Sequence, residues 1–414
     1  MTRSPDQRRD VIAVEEELAL RLAGVAAMRS AELDRIQQLA ARMNSDALVS
    51  LLEAQRLLAL IGSRLIETCN GDVEAGLRSA VESAMADARR RHTLATYYIR
   101  DFSARLDGAG IAAVSLKGPL LAERLYADPG LRAAPHDLDF LVHRQRLNDA
   151  VQLFRDLGYT IFDDSIWADG LPHYHYGLRP PNPPLPQVEL HWRIHWYEKE
   201  FADRLIEASS QDGSGVRIPS PAYDLATLLI IFARDGFVGL RIAADIGAWW
   251  DAYGGQLAPL GLDPIMVEYP RLRPAMIAAL DAAQQLVGLP RDELVSIHWR
   301  ASNWRTPATR LTNWRSRGTQ DEVATRITLV DLLLCPPAAA RVYIRHYYFQ
   351  PLSNYISDYG WKPEARLRNE LRRAIHALAR IAKSIYKYSR QLWAIRGGTS
   401  FDALPARSAP HRDT

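Results

Sequence analysis

The segment PHDLDFLV, residues 135–142, sets two carboxylates into an otherwise apolar run. In a strand, residues two apart point to the same face, so Asp137 and Asp139 converge on one spot while Leu138 and Phe140 face the other way. Like charges ~4 Å apart repel by about 4 kcal/mol at an effective dielectric of roughly 20, and desolvation adds to that cost. Any fold that keeps this segment must therefore bring positive charge to that spot. A divalent cation can provide it, since Mg²⁺ takes one or two carboxylates and leaves its other positions to water and substrate phosphates. An arginine such as Arg132 or Arg144 can also provide it, with the other carboxylate capping the strand end. The D-x-D spacing alone leaves both readings open.

What lies around the segment narrows the fold. From Val11 to about Thr96 apolar residues recur at helical spacing, as in LVSLLEAQRLLALIGSRLIETC, with no strand-like alternation. Near GIAAVSLKG the pattern changes to a short apolar run, Ile111–Leu116, which suits a buried strand closed by a turn at Lys117-Gly118. A brief helix, PLLAERLY, follows with Pro119 in its first turn, and the strand Leu138–Val142 comes next. Leu147, Ala150, Val151, Phe154 and Leu157 then mark one face of a helix that Gly158 can end. Three further strands are expected in YTIFDD, PHYHYGL and QVELHWRI, the last two separated by the proline-dense loop RPPNPPLP.

Helices return after Ala202, with Ser220-Pro221 as the start of one. The final helix carries a 4-3 spaced seam, Leu367, Leu371, Ala374, Leu378, Ile381, Ile385, Tyr388, Leu392 and Ile395, with many Arg and Lys between. It is expected to cover the core and leave its basic face in water, with contact to a partner as the alternative. The division is then residues 1–96, an N-terminal helical segment; 97–205, an α+β core built on a short mixed sheet with helices; 206–396, a C-terminal helical domain; and 397–414, a disordered tail.

The chain's 414 residues suffice for several folding units, and 48% hydrophobic with 24% charged residues is an ordinary globular balance. A net charge of +3 gives no argument for nucleic acid, and no specific nucleic-acid partner is evident. Cys69 and Cys335 are the only cysteines, too few for a disulfide framework or a thiolate zinc site. With no apolar run of ~20 residues and no signal-peptide pattern in MTRSPDQRRD, no transmembrane segment is expected and the expected location is cytoplasmic.

Upstream of the D-x-D, SLKGPLLAERLY breaks from a strand straight into a helix start. Gly118 there lets the backbone approach a ligand, free N–H groups at the helix start suit phosphate, and Lys117 adds a point charge. A phosphate cradle followed by two metal-binding carboxylates is an arrangement that holds a nucleoside triphosphate for in-line attack. The stretch LKGPLLAERLYADPGLRAAPHDLDFLV resembles the polymerase-β-type nucleotidyltransferase superfamily. It is more narrowly similar to the bacterial nucleotidyltransferases with an L-K-G turn, a helix ending in Tyr, and D-x-D on the next strand. Here Lys117, Gly118, Tyr126, Asp128-Pro129-Gly130, Arg132, Asp137 and Asp139 carry the pattern. VELHWRI matches a later strand of that family, and GLRIAADIGAWW, with Arg241 and Asp245, a later helix.

The resemblance implies a polymerase-β-like core flanked by helices, and a metal-dependent transfer of a nucleoside monophosphate from an NTP, ATP foremost, to an unidentified hydroxyl or similar acceptor. It implies that Asp137, Asp139 and Glu189 hold Mg²⁺ or Mn²⁺ and are catalytic, and that Lys117 and Gly118 meet the triphosphate. Arg132 would stabilise phosphate charge or pair with Asp128 or Asp137. Two positions depart from the pattern: Pro119, which has no N–H, and His136, where a small residue is common. His136 and His191 would neighbour the site or touch the acceptor. On this reading Asp137→Asn and Asp139→Asn both abolish transfer and leave folding nearly intact.

Two other readings stand beside it. HYH and ELHWRIH put His173 and His175 on one strand face, and Glu189, His191 and His195 on one face if the second strand runs that far. A His173/His175/His191 cluster would suit zinc and a hydrolase. The third reading is an inactive nucleotidyltransferase-fold interaction module acting through the basic helix Lys362–Arg396. Trp167, Tyr174, Tyr176 and Trp192 could stack on a substrate ring or belong to the core.

Overall fold

The structure, a computed structural model, describes residues 13–163, 171, 173–290, 312, 314–315, 319–349, 352, 362 and 366–396. The expected tail at 397–414 lies outside the described residues, as do the N-terminal MTRSPDQRRD and Trp167.

Five short helices open the chain: α1 (Val14–Ala23), α2 (Ala26–Ala31), α3 (Leu33–Ala40), α4 (Ser45–Ala54) and α5 (Leu58–Thr68). The Asn44 side chain caps α4 by accepting from the Ala47 N–H at 2.8 Å. The long α6 (Ala75–Gly108) runs unbroken past residues 96 and 97 and delivers the chain to the sheet. Seven strands follow in one sheet: β1 (Ala113–Leu116), β2 (Asp137–Val142), β3 (Thr160–Asp163), β4 (His175–Arg179), β5 (Gln187–His191), β6 (Ser210–Gln211) and β7 (Arg217–Ile218). Their order is β3-β4-β5-β2-β1-β7-β6. The sheet is mixed, with β2 antiparallel to β1 and parallel to β5. Helices α7 (Gly118–Leu125), α8 (Leu147–Asp156) and α9 (Glu200–Glu207) are interleaved with the strands. Helices α10 (Pro221–Arg234), α11 (Arg241–Glu268), α12 (Arg273–Val287), α13 (Gln320–Leu334), α14 (Pro337–Tyr348) and α15 (Arg366–Arg396) complete the described chain. The result is an α+β architecture with a mixed sheet and flanking helices.

Strand alternation explains the two cores. Leu138, Phe140 and Val142 of β2 join Val188 and Leu190 of β5 in a core with Phe102 of α6 and Phe154 of α8. On the other face Val114, Leu116 and Leu141 join a larger core with Phe201 and Leu205 of α9 and the buried faces of α10, α11 and α12. That same core takes in Leu18, Leu22, Leu52 and Ile61 from α1, α4 and α5. The helices before and after the sheet thus share one hydrophobic core.

Three expectations are corrected. The region after Ala202 is not all helical: β6 and β7 extend the sheet past residue 205, around a turn in which Asp212 accepts from the Ser214 and Val216 N–H groups. Strand β5 stops at His191. Most of the final helix's seam does not cover the core: Leu367, Leu371, Ala374, Leu378 and Ile385 are exposed and Ile381 is half-buried, while Tyr388 packs against the core and Asn369 and Ala377, outside the seam, are buried.

Candidate active site

The register of the central strands assembles the carboxylates. Leu116 of β1 pairs with Asp139, and Asp139 pairs across the parallel ladder with Glu189 of β5. Residues paired across a ladder share a face, and Asp137 lies two residues from Asp139, so the three carboxylates sit on one face. β1 ends beside them, and the chain turns at Lys117 and Gly118 into α7. Gly118 has φ +67 and Lys117 has φ 54 with ψ −150. The Lys117 conformation lies in a region that non-glycine residues avoid, at a cost of order 1–3 kcal/mol. It directs the ammonium onto the site, with Nζ 3.3 Å from Asp139 Oδ2. Pro119 occupies the first turn of α7, as expected, and contributes no N–H there.

The two aspartates have different surroundings. Asp139 is buried and held between Lys117 and His191, whose Nε2 is 2.9 Å from Asp139 Oδ1. Burial alone would raise its carboxyl; Lys117 and His191 hold it well below the ordinary carboxylate range. Asp137 is half-buried and has no ion-pair partner among the described residues. Burial and the neighbouring Asp139 and Glu189 push it up. Glu189 lies 3.3 Å from His191 and 3.7 Å from His175, and these histidines outweigh burial to hold it below its usual value. His191 is buried yet raised by its bonds to Asp139 and Glu189, which favours the imidazolium. Asp139 neutralises the half-buried Lys117 and shares the buried His191 with Glu189, so of the two aspartates it is the one whose replacement bears on folding.

The structure brings together His175, Glu189 and His191, whose ligand atoms lie within 4.8 Å of one another. The expected His173/His175/His191 cluster is corrected. His173 precedes β4, where its carbonyl accepts from Arg193 Nε at 2.6 Å. His195, past the end of β5, turns to Asp331 at 3.0 Å. His191 faces carboxylates on two sides, the setting of a proton-bearing bridge more than of a neutral zinc ligand.

Arg132 is also corrected. Its guanidinium is buried and donates Nε and Nη2 to the Asp245 carboxylate at 2.9 and 2.9 Å, and Tyr126 donates to the same carboxylate at 2.8 Å. It joins the loop before β2 to α11 and is not open to phosphate. Asp128 pairs with Arg89, and Arg144 lies over the Trp192 ring, so neither expected arginine serves the D-x-D. Trp192 belongs to the core. His136 is exposed immediately before β2.

The profile of a family described as uncharacterised nucleotidyltransferases matches residues 41–288. The chain belongs to that family. A search of the curated proteins finds no match. The matched span starts just before α4 and ends at Gly288, the left-handed residue that closes α12. It holds the whole sheet and every residue of the carboxylate site.

It also holds two cations that sequence reasoning missed in this role. Arg56 follows α4 with φ 58, and its guanidinium donates to the Ala134 carbonyl, three residues before Asp137. Gln55 Oε1 accepts from the Leu240 N–H at 3.2 Å, which sets the start of α11, and so Arg241, beside Arg56. Burial, with Arg241 and Arg132 close by, pulls Arg56 below its ordinary value, while Asp137 acts in the opposite sense. Arg56 and Arg241 stand on this side of the carboxylates with no ion pair to either among the described residues, an environment that favours a polyanion. Arg241 was visible in its motif, but nothing in the sequence pairs it with Arg56.

Proposed function

We propose that this nucleotidyltransferase moves a nucleoside monophosphate from an NTP, ATP foremost, to a hydroxyl-bearing acceptor and releases pyrophosphate. The observation that carries this reading is the register that sets Asp139 against Glu189, with Asp137 on the same face, at the mouth of the Lys117-Gly118 turn.

The donor set fits a hard divalent cation: three carboxylates share a face, and burial with Asp139 and Glu189 beside it raises the half-buried Asp137 in spite of Lys117. Asp137, Asp139 and Glu189 would hold Mg²⁺ or Mn²⁺. Bound there, such an ion supplies Lewis-acid stabilisation of phosphate charge. The chain's own residues do the rest. Gly118 allows the triphosphate close to the backbone at the start of α7, and Lys117 offers its ammonium to the phosphates. Arg56 and Arg241 face the charge that accumulates on the departing pyrophosphate. Glu189, kept ionised by His191 and His175, accepts a hydrogen bond from the acceptor hydroxyl and orients it. The hydroxyl oxygen forms a new bond to the α-phosphorus, the bond from the α-phosphorus to the bridging oxygen breaks with its electron pair leaving on pyrophosphate, and the hydroxyl proton passes to Glu189 or solvent.

The test is transfer of label from α-phosphate-labelled NTPs, with Mg²⁺ or Mn²⁺, onto the protein and onto a cell lysate fractionated into protein, RNA and small molecules. Calorimetry of NTP binding with and without the metal runs in parallel. The expected result is metal-dependent NTP binding and label that the Asp137→Asn/Asp139→Asn variant does not transfer. Absence of metal-dependent binding together with absence of label overturns the proposal.

A further inference from the structure

The last helix departs from what burial normally enforces. α15 packs on α13 and α14 through a narrow inner face: Asn369 and Ala377 are each 1% exposed, and Lys387 pairs with Asp321 of α13. The opposite face carries Leu367 at 87%, Leu378 at 66% and Ile385 at 61%, with Leu371, Ile375 and Tyr386 also exposed. Steps of four, four, three, seven and one residues put these side chains within an arc of about 100° at 3.6 residues per turn. Exposed Arg368 and Lys383 border that arc on one side. Single exposed apolar residues are ordinary, but a row of six large ones along a helix marks an interaction surface.

Charge decides what fits it. α15 contains nine Lys or Arg and one Glu, whereas the whole chain is only +3. A second copy of the same helix would bring like charge against like charge along its length. An anionic bilayer offers acyl chains to the apolar arc and negative headgroups to its basic border, the arrangement of helices that lie in a membrane interface. No described helix is long and apolar enough to cross a membrane, so α15 lies on the surface. We infer that α15 seats the protein on anionic phospholipid membranes, with Leu367, Leu371, Ile375, Leu378 and Ile385 entering the interface and Arg368 and Lys383 meeting headgroups.

The test is co-sedimentation of the full chain with phosphatidylcholine vesicles, with and without phosphatidylglycerol, at low and high salt. The expected result is binding to the anionic vesicles at least roughly tenfold tighter than to the neutral ones, weakened by salt. Leu371→Glu/Ile375→Glu/Leu378→Glu, whose altered residues touch no core, is expected to lose that binding while keeping the wild-type thermal transition. Arg368→Glu/Lys383→Glu, which keeps the apolar row, is expected to lose most of the preference for anionic lipid. Wild-type protein left in the supernatant overturns the inference, as does equal binding by the triple-Glu variant. A concentration-dependent dimer that the triple-Glu variant abolishes, without vesicle binding, assigns the surface to a second copy and overturns it too.

Discussion

Asp137 and Asp139 carry the same charge on the same strand face, and their neighbours give them opposite energetic roles. Asp139→Asn leaves the half-buried Lys117 without its carboxylate and the buried His191 with Glu189 alone, which costs about 1–3 kcal/mol. Asp137→Asn removes a charge that burial and its neighbours already disfavour, so stability is expected to stay level or rise by up to about 1 kcal/mol. Both are expected to lower transfer at least about 100-fold, since each takes away a proposed ligand. Denaturant midpoints for the pair check the first contrast, and equal destabilisation by the two would contradict it. His173 supplies a separate test. Burial, with Arg193 and His195 nearby, pulls its imidazole from 6.5 down to about 3. Unfolded chains take up a proton there below pH 6.5 and the folded chain does not until about 3, so this stability is intact above pH 6.5 and drains away as pH falls through that window. His173→Gln should flatten the acid decline of the melting temperature between pH 6.5 and about 4, by the equivalent of about 1–2 kcal/mol once partial solvent access is allowed for. An unchanged slope would mean that the imidazole titrates alike in both states.

Among the elements, Gly130 links sequence motif to packing. It sits in a single 3-10 turn, Pro129–Leu131, capped by Asp128, whose side chain accepts from the Gly130 N–H at 2.8 Å. A Cβ at Gly130 would lie 2.7 Å from Arg89 Cγ and 2.9 Å from the Met85 carbonyl oxygen on α6. The Arg89 side chain can move, but the α6 backbone cannot, so Gly130→Ala should cost about 1–3 kcal/mol by lifting the turn from the helix. Arg132 follows two residues later, so the same variant should loosen its bond to Asp245; a chemical-denaturation midpoint equal to wild type would refute the close contact. The central strands were legible in the sequence because their constraints are local, whereas Gly130 stood out only through the family resemblance, its contact being with α6. The alternation of Leu138 and Phe140 with two aspartates fixes a face, and VELH does the same for Glu189. What was not legible depends on contacts far along the chain. Arg132 meets Asp245, 113 residues on; Arg56 is set beside Arg241 only by the Gln55 bond to Leu240; and His195 leaves the cluster because β5 ends four residues earlier. Strands β6 and β7, two residues each, are too short for any periodicity to show. The seam expected in α15 was placed on the core because 4-3 spacing marks an apolar row without saying what covers it, and the exposed row runs instead through Ile375 and Tyr386.

For the molecule as a whole, the carboxylate strands depend on helices from both ends of the family-matched span. Leu116 and Leu141, on the sheet face that bears the site, share a core with Phe201, Leu205, Leu229, Phe232 and Met276. Among the described residues Arg132 forms its ion pair with Asp245 of α11, and β1 gains its outer neighbour from β7. A fragment of residues 97–205 would begin inside α6, lose all three supports, and expose a strip of Leu, Ile and Phe beside an unpaired guanidinium. Removing that apolar cover costs roughly 25 cal/mol per Å² of surface returned to water, and leaving Arg132 buried without its partner adds about 3 kcal/mol, against a net stability of only about 5–15 kcal/mol for a typical domain. The fragment is therefore expected to show no cooperative thermal transition, while residues 13–290, which keep α1–α12 and the whole sheet, are expected to melt in one. Circular dichroism in the near and far ultraviolet on both fragments decides it: a cooperative transition with native-like aromatic signals in the shorter fragment would mean that the sheet folds on its own and that the shared core is secondary to it.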